Sequence, residues 1–369
     1  MGTYNFTDKT LYDLRMLYEQ MGYKRFKMSK FEEYDLYLEY KKFLSTENII
    51  TFTDLNGKLF ALKPDITLSI AKNAKEGEAQ KLYYKENVYR ASRDTKEYKE
   101  ITQLGLEYIG EIDSYTLGEV VLLAAKSLHS ISERYVLDVS HMGFVSALLD
   151  ETGLSDSRKE KIVAYLGKKD THEILSSCDR YGVAADTANK IAALCEIYGD
   201  FESTYPKIRE LASTPSMIEA ADELEALYVF LKTSGEGEHI NLDFSIVNDM
   251  SYYNGVIYRG YIESVPCSVL SGGRYDNLLV KLGKNCQAIG FAVYVDLLEL
   301  YSKHEKEHDI DVLLCYDNTV SPVEISKTAY GFASEGKTVR VLNYVPDRLK
   351  YKQLVKLTKE GVEVTDGIS

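Results

Sequence analysis

The chain has 369 residues, 45% of them hydrophobic and 27% charged, a balance that excludes a disordered or fibrous chain and suits a globular protein of two or three domains. Its net charge of -13 gives phosphate backbones no overall attraction, which argues against nucleic acid as a default partner. The longest apolar run, 120–125, is too short to span a bilayer, the N-terminus lacks a basic-then-apolar leader, and the cysteines (Cys178, Cys195, Cys267, Cys286, Cys315) form no CxxC pair, so the expectation is a cytoplasmic protein with no membrane contact, disulfide framework or thiolate metal site.

In chain order, Asp8 is expected to cap a first helix in which Leu11, Leu14, Tyr18 and Met21 recur at helical spacing, with Gly22 as its stop. FEEYDLYLEY follows, then strand-like IITFTDLNGKLFALKPDIT, where Asn56-Gly57 signals a hairpin turn. Asp65, near its end, is expected to cap a helix starting near Thr67. Residues 81–110 predict two antiparallel strands joined by a polar loop. In the second strand Thr102, Leu104, Leu106 and Tyr108 make a mostly apolar face, and Ile101, Gln103, Gly105, Glu107 and Ile109 make the other. Gln103 and Glu107 therefore project the same way, about 13 Å apart at Cα, with a notch at Gly105 between them. Ile101 and Ile109 flank the polar pair, which favours a covered face over a solvated one. A covered Glu107 needs a cation or hydrogen-bond donors, such as a ligand ammonium or imidazole N–H.

A helix from Ser114 carrying Leu117, Val120, Val121, Ala124 and Leu128 is expected to pack on the sheet, with YVLDVSHMG as the next strand. From Phe144 to about Lys232 helical periodicity dominates, with Gly167, Gly182 and Gly199 as breaks and Pro206 and Pro215 near helix starts. This predicts an inserted helical domain, 144–234, returning through a flexible SGEGEH linker at 234–239. Alternation from Ser251 to Gly260 then predicts a strand with Tyr253, Gly255 and Ile257 on one face and Tyr252, Asn254, Val256 and Tyr258 on the other. Phenol hydroxyls beside a strand glycine suit either a ligand floor or a core with a bulge at Gly255. SGGRYDNLL reads as a glycine turn, holding Gly272 and Gly273, before a short helix. The match to HExxH at His304–His308 lacks an apolar helix and a third ligand and is read as a charged linker; His129, His141, His172 and His239 show no ligand spacing. The last stretch predicts βαβαβ around a small parallel sheet, with helices ending at Gly336 and Gly361. No P-loop, GxGxxG or GxSxG pattern occurs, and neither a metal nor a cofactor is implied.

SYYNGVIYRGY, SGGRYDNLL and AIGFAV resemble the closing histidine-specific segments of histidyl-tRNA synthetase and of its non-catalytic paralogue, the regulatory subunit of ATP phosphoribosyltransferase. KPDIT and the stretch 89–110 extend the resemblance over nearly the whole chain. It implies an α+β fold: a class II aminoacyl-tRNA synthetase-like antiparallel sheet flanked by helices (1–143 and 235–303), the inserted helical domain, and a short, truncated anticodon-binding-like α/β domain (304–369). It also implies a histidine site of Asp65, Thr67, Arg90, Gln103, Glu107, Tyr252 and Tyr253 over a floor of Gly255, Gly272 and Gly273, and a dimer formed through 31–67.

The departures from the synthetase pattern are informative. Asn248 stands where the synthetase carries the arginine that activates histidine, Leu297 where its ATP-stacking arginine stands, and Ser92 where an acidic residue meets adenine. Losing one preorganised charge donor costs about 3–4 kcal/mol of catalysis, so losing two cations removes roughly 6–8 kcal/mol if the effects add. An amino-acid site kept beside a lost ATP site implies the non-catalytic regulatory subunit of hetero-oligomeric ATP phosphoribosyltransferase, which opens L-histidine biosynthesis. The partners implied are the short-form catalytic subunit, a second copy of the chain and L-histidine as effector, with no tRNA. A divergent histidyl-tRNA synthetase and a tRNA- or histidine-sensing synthetase-like protein are the alternatives.

Overall fold

The computed structural model describes residues 6–39, 49–91, 97–247, 250, 252–298 and 308–366. It divides into two compact units, residues 11–297 and residues 298–369 with 1–10. Helix α1 (Phe6–Gln20) buries Leu14 and Tyr18, and Gly22 stops it at φ 83°. Asp8 is not its cap; it lies inside the first turn, where a carboxylate complements the helix dipole. Short strands β1 (Lys24–Arg25) and β2 (Phe31–Glu33), helix α2 (Tyr34–Glu39) and strands β3 (Thr51–Thr53) and β4 (Leu59–Leu62) follow. The predicted hairpin forms: β3 pairs antiparallel with β4, Gly57 takes φ 82°, and Asp54 Oδ1 accepts from the amides of Asn56 and Lys58 at 2.9 and 2.7 Å.

Helix α3 (Thr67–Asn73) leads into β5 (Gln80–Ala91) and β6 (Tyr98–Gly110), the expected antiparallel pair. Asp113 caps α4 (Ser114–Ile131), which buries Leu117, Val120, Val121, Ala124 and Leu128 before β7 (Tyr135–His141). Then come α5 (Met142–Asp150), α6 (Asp156–Leu166), α7 (Thr171–Tyr181), α8 (Ala185–Ala193), the short β8 (Tyr198–Asp200), α9 (Phe201–Leu211) and α10 (Pro215–Thr233). Pro215 opens α10 behind its Thr214 cap, whereas Pro206 lies within α9 rather than near its start. The unit closes with β9 (Ile240–Asp243), β10 (Val256–Ile262), β11 (Leu270–Arg274), α11 (Asp276–Lys281) and β12 (Gln287–Tyr294). Among the described residues nine strands form one sheet, ordered β1-β5-β6-β12-β11-β10-β7-β9-β8 and antiparallel from β5 to β7.

Three expectations in this unit are corrected. The strand predicted from Ser251 begins only at Val256; before it, the Asn254 side chain donates to Asp276 Oδ2 at 2.9 Å and accepts the Asp276 amide at 3.0 Å, while its backbone N–H still donates to the Arg274 carbonyl at 3.2 Å. The glycines of SGGRY lie in strand β11 rather than a turn. A Cβ at Gly272 would stand 2.4 Å from the Gly290 carbonyl oxygen, so glycine here serves close approach of two strands. The SGEGEH stretch is a fixed turn rather than a flexible linker, since Glu236 is buried and accepts the Tyr135 hydroxyl.

In the second unit β13 (Ile310–Tyr316), a helix Pro322–Ser334, β14 (Val339–Leu342), β15 (Tyr351–Thr358) and β16 (Gly361–Asp366) build a sheet ordered β14-β13-β15-β16. The parallel part is as expected, but the second predicted helix is β15, in an antiparallel hairpin with β16. Tyr351, Val355 and Leu357 are buried while Lys352, Lys356 and Thr358 are exposed, a strand period that outweighs the helix-favouring lysines. Four of the five residues of the HExxH match lie outside the described residues.

Candidate functional site

Strands β6 and β12 set the centre of the site by placing Glu107 opposite Gly290 and Gln103 opposite Tyr294. Position 290 has to be glycine, because a Cβ there would lie 1.7 Å from Glu107 Oε2. The space it releases admits a buried carboxyl group. Glu107 Oε2 accepts the Tyr275 hydroxyl at 2.7 Å, and Oε1 accepts the Thr67 hydroxyl at 3.3 Å. Tyr84 reaches the same group, and its ring fills the notch expected at Gly105, where a Cβ would stand 2.2 Å away. Burial pushes the Glu107 pKa up to about 8, with neighbouring Asp65 adding to the rise and hydrogen bonds from Tyr275, Thr67 and Tyr84 opposing it. Burial thus favours the protonated form of Glu107 well above the usual carboxylate range.

Of the two expectations for Asp65, the structure supports the cap-like one, although the N-cap position of α3 itself falls on Ile66. Its Oδ1 accepts the Leu68 amide at 2.8 Å at the start of α3, while burial raises its pKa against the pull of that amide, Arg90 and Lys63. Arg90 Nε donates to the Pro64 carbonyl at 3.3 Å. Lys63, wholly buried, keeps its Nζ 3.1 Å from Glu86 Oε2. Gln103 is buried, and among the described residues no hydrogen bond holds its amide.

Tyr252 and Tyr253 lie outside the strands with ring centroids 4.5 Å apart, and Tyr252 stacks on Tyr275 at 5.7 Å. Tyr253 and Gly272 line a cavity of about 220 Å³ together with Tyr258, Ser271 and Tyr294. A Cβ on Gly273 would meet the Tyr253 ring at 2.9 Å, whereas one on Gly255 would meet Arg274. Of the three expected floor glycines, Gly273 backs Tyr253, Gly272 lies against the Gly290 carbonyl and the Tyr258 ring, and Gly255 accommodates an arginine. Leu297, directly after Asp296, brings only hydrocarbon to its position. Asn248 and Ser92 lie outside the described residues.

Thr67, Glu107, Tyr252 and Tyr253 are thus joined in one continuous set of contacts through Tyr275, with Asp65 beside Thr67 and Arg90 held at the Pro64 carbonyl. Sequence reasoning missed Tyr275, Tyr84 and Gly290. Pairing β5 with β6 from their shared loop signals Tyr84, since it falls opposite Gly105. Tyr275 was hidden by reading SGGRYD as a turn alone. Chemically, the predicted residues offer two carboxyl groups, one guanidinium, a primary amide and several hydroxyls, and Tyr253 joins this set to the cavity.

The family model for histidyl-tRNA synthetase matches residues 5–298. A curated relative, the ATP phosphoribosyltransferase regulatory subunit of Clostridium kluyveri, is 30% identical over 318 residues, covering 82% of this chain and 81% of that one. Among solved structures, an ATP phosphoribosyltransferase regulatory subunit/histidyl-tRNA synthetase from Bacillus halodurans matches with a TM-score of 0.74 at 24% identity, covering 96% of this chain and 94% of that one. A chain of an ATP phosphoribosyl transferase complex from Thermotoga maritima matches with a TM-score of 0.62 at 18% identity, covering 78% and 97%. These likenesses fix the fold as class II synthetase-like. With a synthetase match over most of its length and a named relative aligned over four fifths of it, the chain belongs to the histidyl-tRNA synthetase family, among its ATP phosphoribosyltransferase regulatory subunits.

Proposed function

We propose that the chain makes a short-form catalytic subunit competent for ATP phosphoribosyl transfer in the cytoplasm, and that the pocket around Glu107 binds L-histidine as the feedback signal. The observation that carries this reading is a buried Glu107 carboxyl group ringed by hydroxyls. Leu297, which stands where the resemblance puts a synthetase cation, supports a chain that binds the amino acid without activating it. Histidine carries an ammonium, a carboxylate and an imidazole. Asp65 and Glu107 suit the cationic groups, Arg90 the carboxylate, and Gln103, Tyr252 and Tyr253 offer neutral hydrogen bonds. A cation arriving at Glu107 favours its charged form and expels the proton. Charge-assisted bonds contribute about 1.5–3 kcal/mol each before ordering costs.

Self-association is part of the same proposal. Phe31, Phe52, Leu55 and Leu59 stay exposed on the β2-β4-β3 sheet, and Phe31 meets Phe52 edge-on at 5.3 Å, an apolar surface suited to a twofold partner. Calorimetric titration with histidine at pH 7, in two buffers of different ionisation enthalpy, tests the pocket. The expected result is saturable binding with net proton release, and Glu107→Gln weakening binding roughly tenfold or more without that release. Binding indifferent to Glu107→Gln would refute the pocket, and histidine-dependent pyrophosphate exchange with ATP would favour a divergent synthetase.

A further inference from the structure

Away from this pocket, His129, Glu236 and His239 converge although nothing in their spacing announces it. Among the described residues they form the single group of three histidine, cysteine or carboxylate side chains whose ligand atoms all lie within 4.8 Å of one another. His129 sits in the last turn of α4, while Glu236 and His239 belong to the turn between α10 and β9. Glu236 is buried; its Oε2 accepts the Tyr135 hydroxyl and its Oε1 lies 3.4 Å from Lys126 Nζ. Each carboxylate oxygen retains a further lone pair.

His239 is set in advance. Its ring stacks on Tyr135 with centroids 4.1 Å apart and 21° between planes, and its Nδ1 lies 3.1 Å from the Tyr135 carbonyl oxygen. A carbonyl only accepts, so Nδ1 carries the proton and Nε2 keeps a lone pair. Anchoring one ring nitrogen on a carbonyl so that the other ligates is how metal-binding histidines are commonly oriented. His129 completes the set, with Nδ1 3.9 Å from Glu236 Oε2 and a side chain 55% exposed that gives an entry path.

We propose that His129, Glu236 and His239 bind a divalent transition ion of the Zn²⁺ class, with water as fourth ligand. Two imidazoles and one carboxylate suit Zn²⁺ far better than Ca²⁺ or Mg²⁺, which favour all-oxygen sets. Metal bonds of about 2.0–2.2 Å require the ligand atoms to draw in by about an ångström, a movement open to the exposed His129 ring. The ion would clip the end of α4 to the turn that returns the helical stretch to β9.

The test uses the chelator-stripped full chain in a Cys267→Ser background, which removes an exposed thiol. Zn²⁺ is titrated by calorimetry, and Co²⁺ serves as a spectroscopic probe of coordination. Expected are one equivalent of metal per chain, visible Co²⁺ bands of a four-coordinate nitrogen–oxygen site, and a Zn²⁺-dependent rise in the unfolding midpoint. His129→Ala, at an exposed position that leaves the packing intact, and His239→Gln each weaken uptake roughly tenfold or more. Uptake unchanged by both substitutions would place the ion elsewhere, and absence of saturable uptake by the unsubstituted chain would remove the site; either result overturns the proposal.

Discussion

At the scale of residues, Glu107 couples ligand chemistry to stability. Its pKa is raised from 4.5 to about 8 by burial, so the folded chain holds a proton that the unfolded chain has released. Its contribution is therefore most favourable below the unfolded value and fades as pH rises through the folded one. Stability should fall between about pH 5 and 8 more steeply in the native chain than in Glu107→Gln, as urea midpoints at several pH values would show. Equal slopes would mean that Glu107 is not the group titrating. Gly290 gives a second prediction at this scale. Alanine there places a methyl 1.7 Å from Glu107 Oε2 and 2.4 Å from the Leu106 carbonyl oxygen, and the backbone contact has nowhere to move. Gly290→Ala should lower the unfolding free energy by about 1–3 kcal/mol or more, and an unchanged urea midpoint would contradict the close approach of β6 and β12.

At the scale of elements, what the sequence reveals depends on whether one local period governs the segment. Strand β6 was legible because its two faces alternate without interruption, and this put Gln103 and Glu107 together before any coordinates. The hairpin at Asn56-Gly57 was legible because the turn chemistry is local. By contrast, Tyr252 and Tyr253 were read as strand residues because the alternation runs on from Ser251, while the side-chain bonds that hold Asn254 ahead of β10 come from Asp276, distant in sequence. Strand β15 was read as a helix because its lysines and leucines suit either period. Tyr275 and Tyr84 could not be joined to Glu107 without strand register. The β2-β4-β3 sheet carries a prediction of its own: Phe52→Asp places a charge in the exposed aromatic cluster and should convert a dimer into a monomer of 41.9 kDa by light scattering. A native chain that is already monomeric would remove this sheet as a self-association surface.

At the scale of the whole molecule, a class II synthetase scaffold is proposed to carry an amino-acid pocket without the groups for adenylate chemistry. The net charge of -13 fits the proposed partners, another subunit and a small amino acid, better than a polyanion. Binding to tRNA at physiological salt should stay in the weak nonspecific range of about 10⁻⁴ to 10⁻⁶ M, and tight, tRNA-specific retention on a filter would contradict this. The most direct measurement is reconstitution of the chain with its short-form catalytic partner, assayed for phosphoribosyl-ATP formation with and without histidine. The account predicts little transfer by the partner alone, strong transfer by the pair, inhibition of the pair by histidine, and a Glu107→Gln pair that remains active but responds less to histidine. A partner equally active alone would contradict the regulatory role, and full histidine inhibition in a Glu107→Gln pair whose pocket no longer binds histidine would contradict the pocket as its sensor.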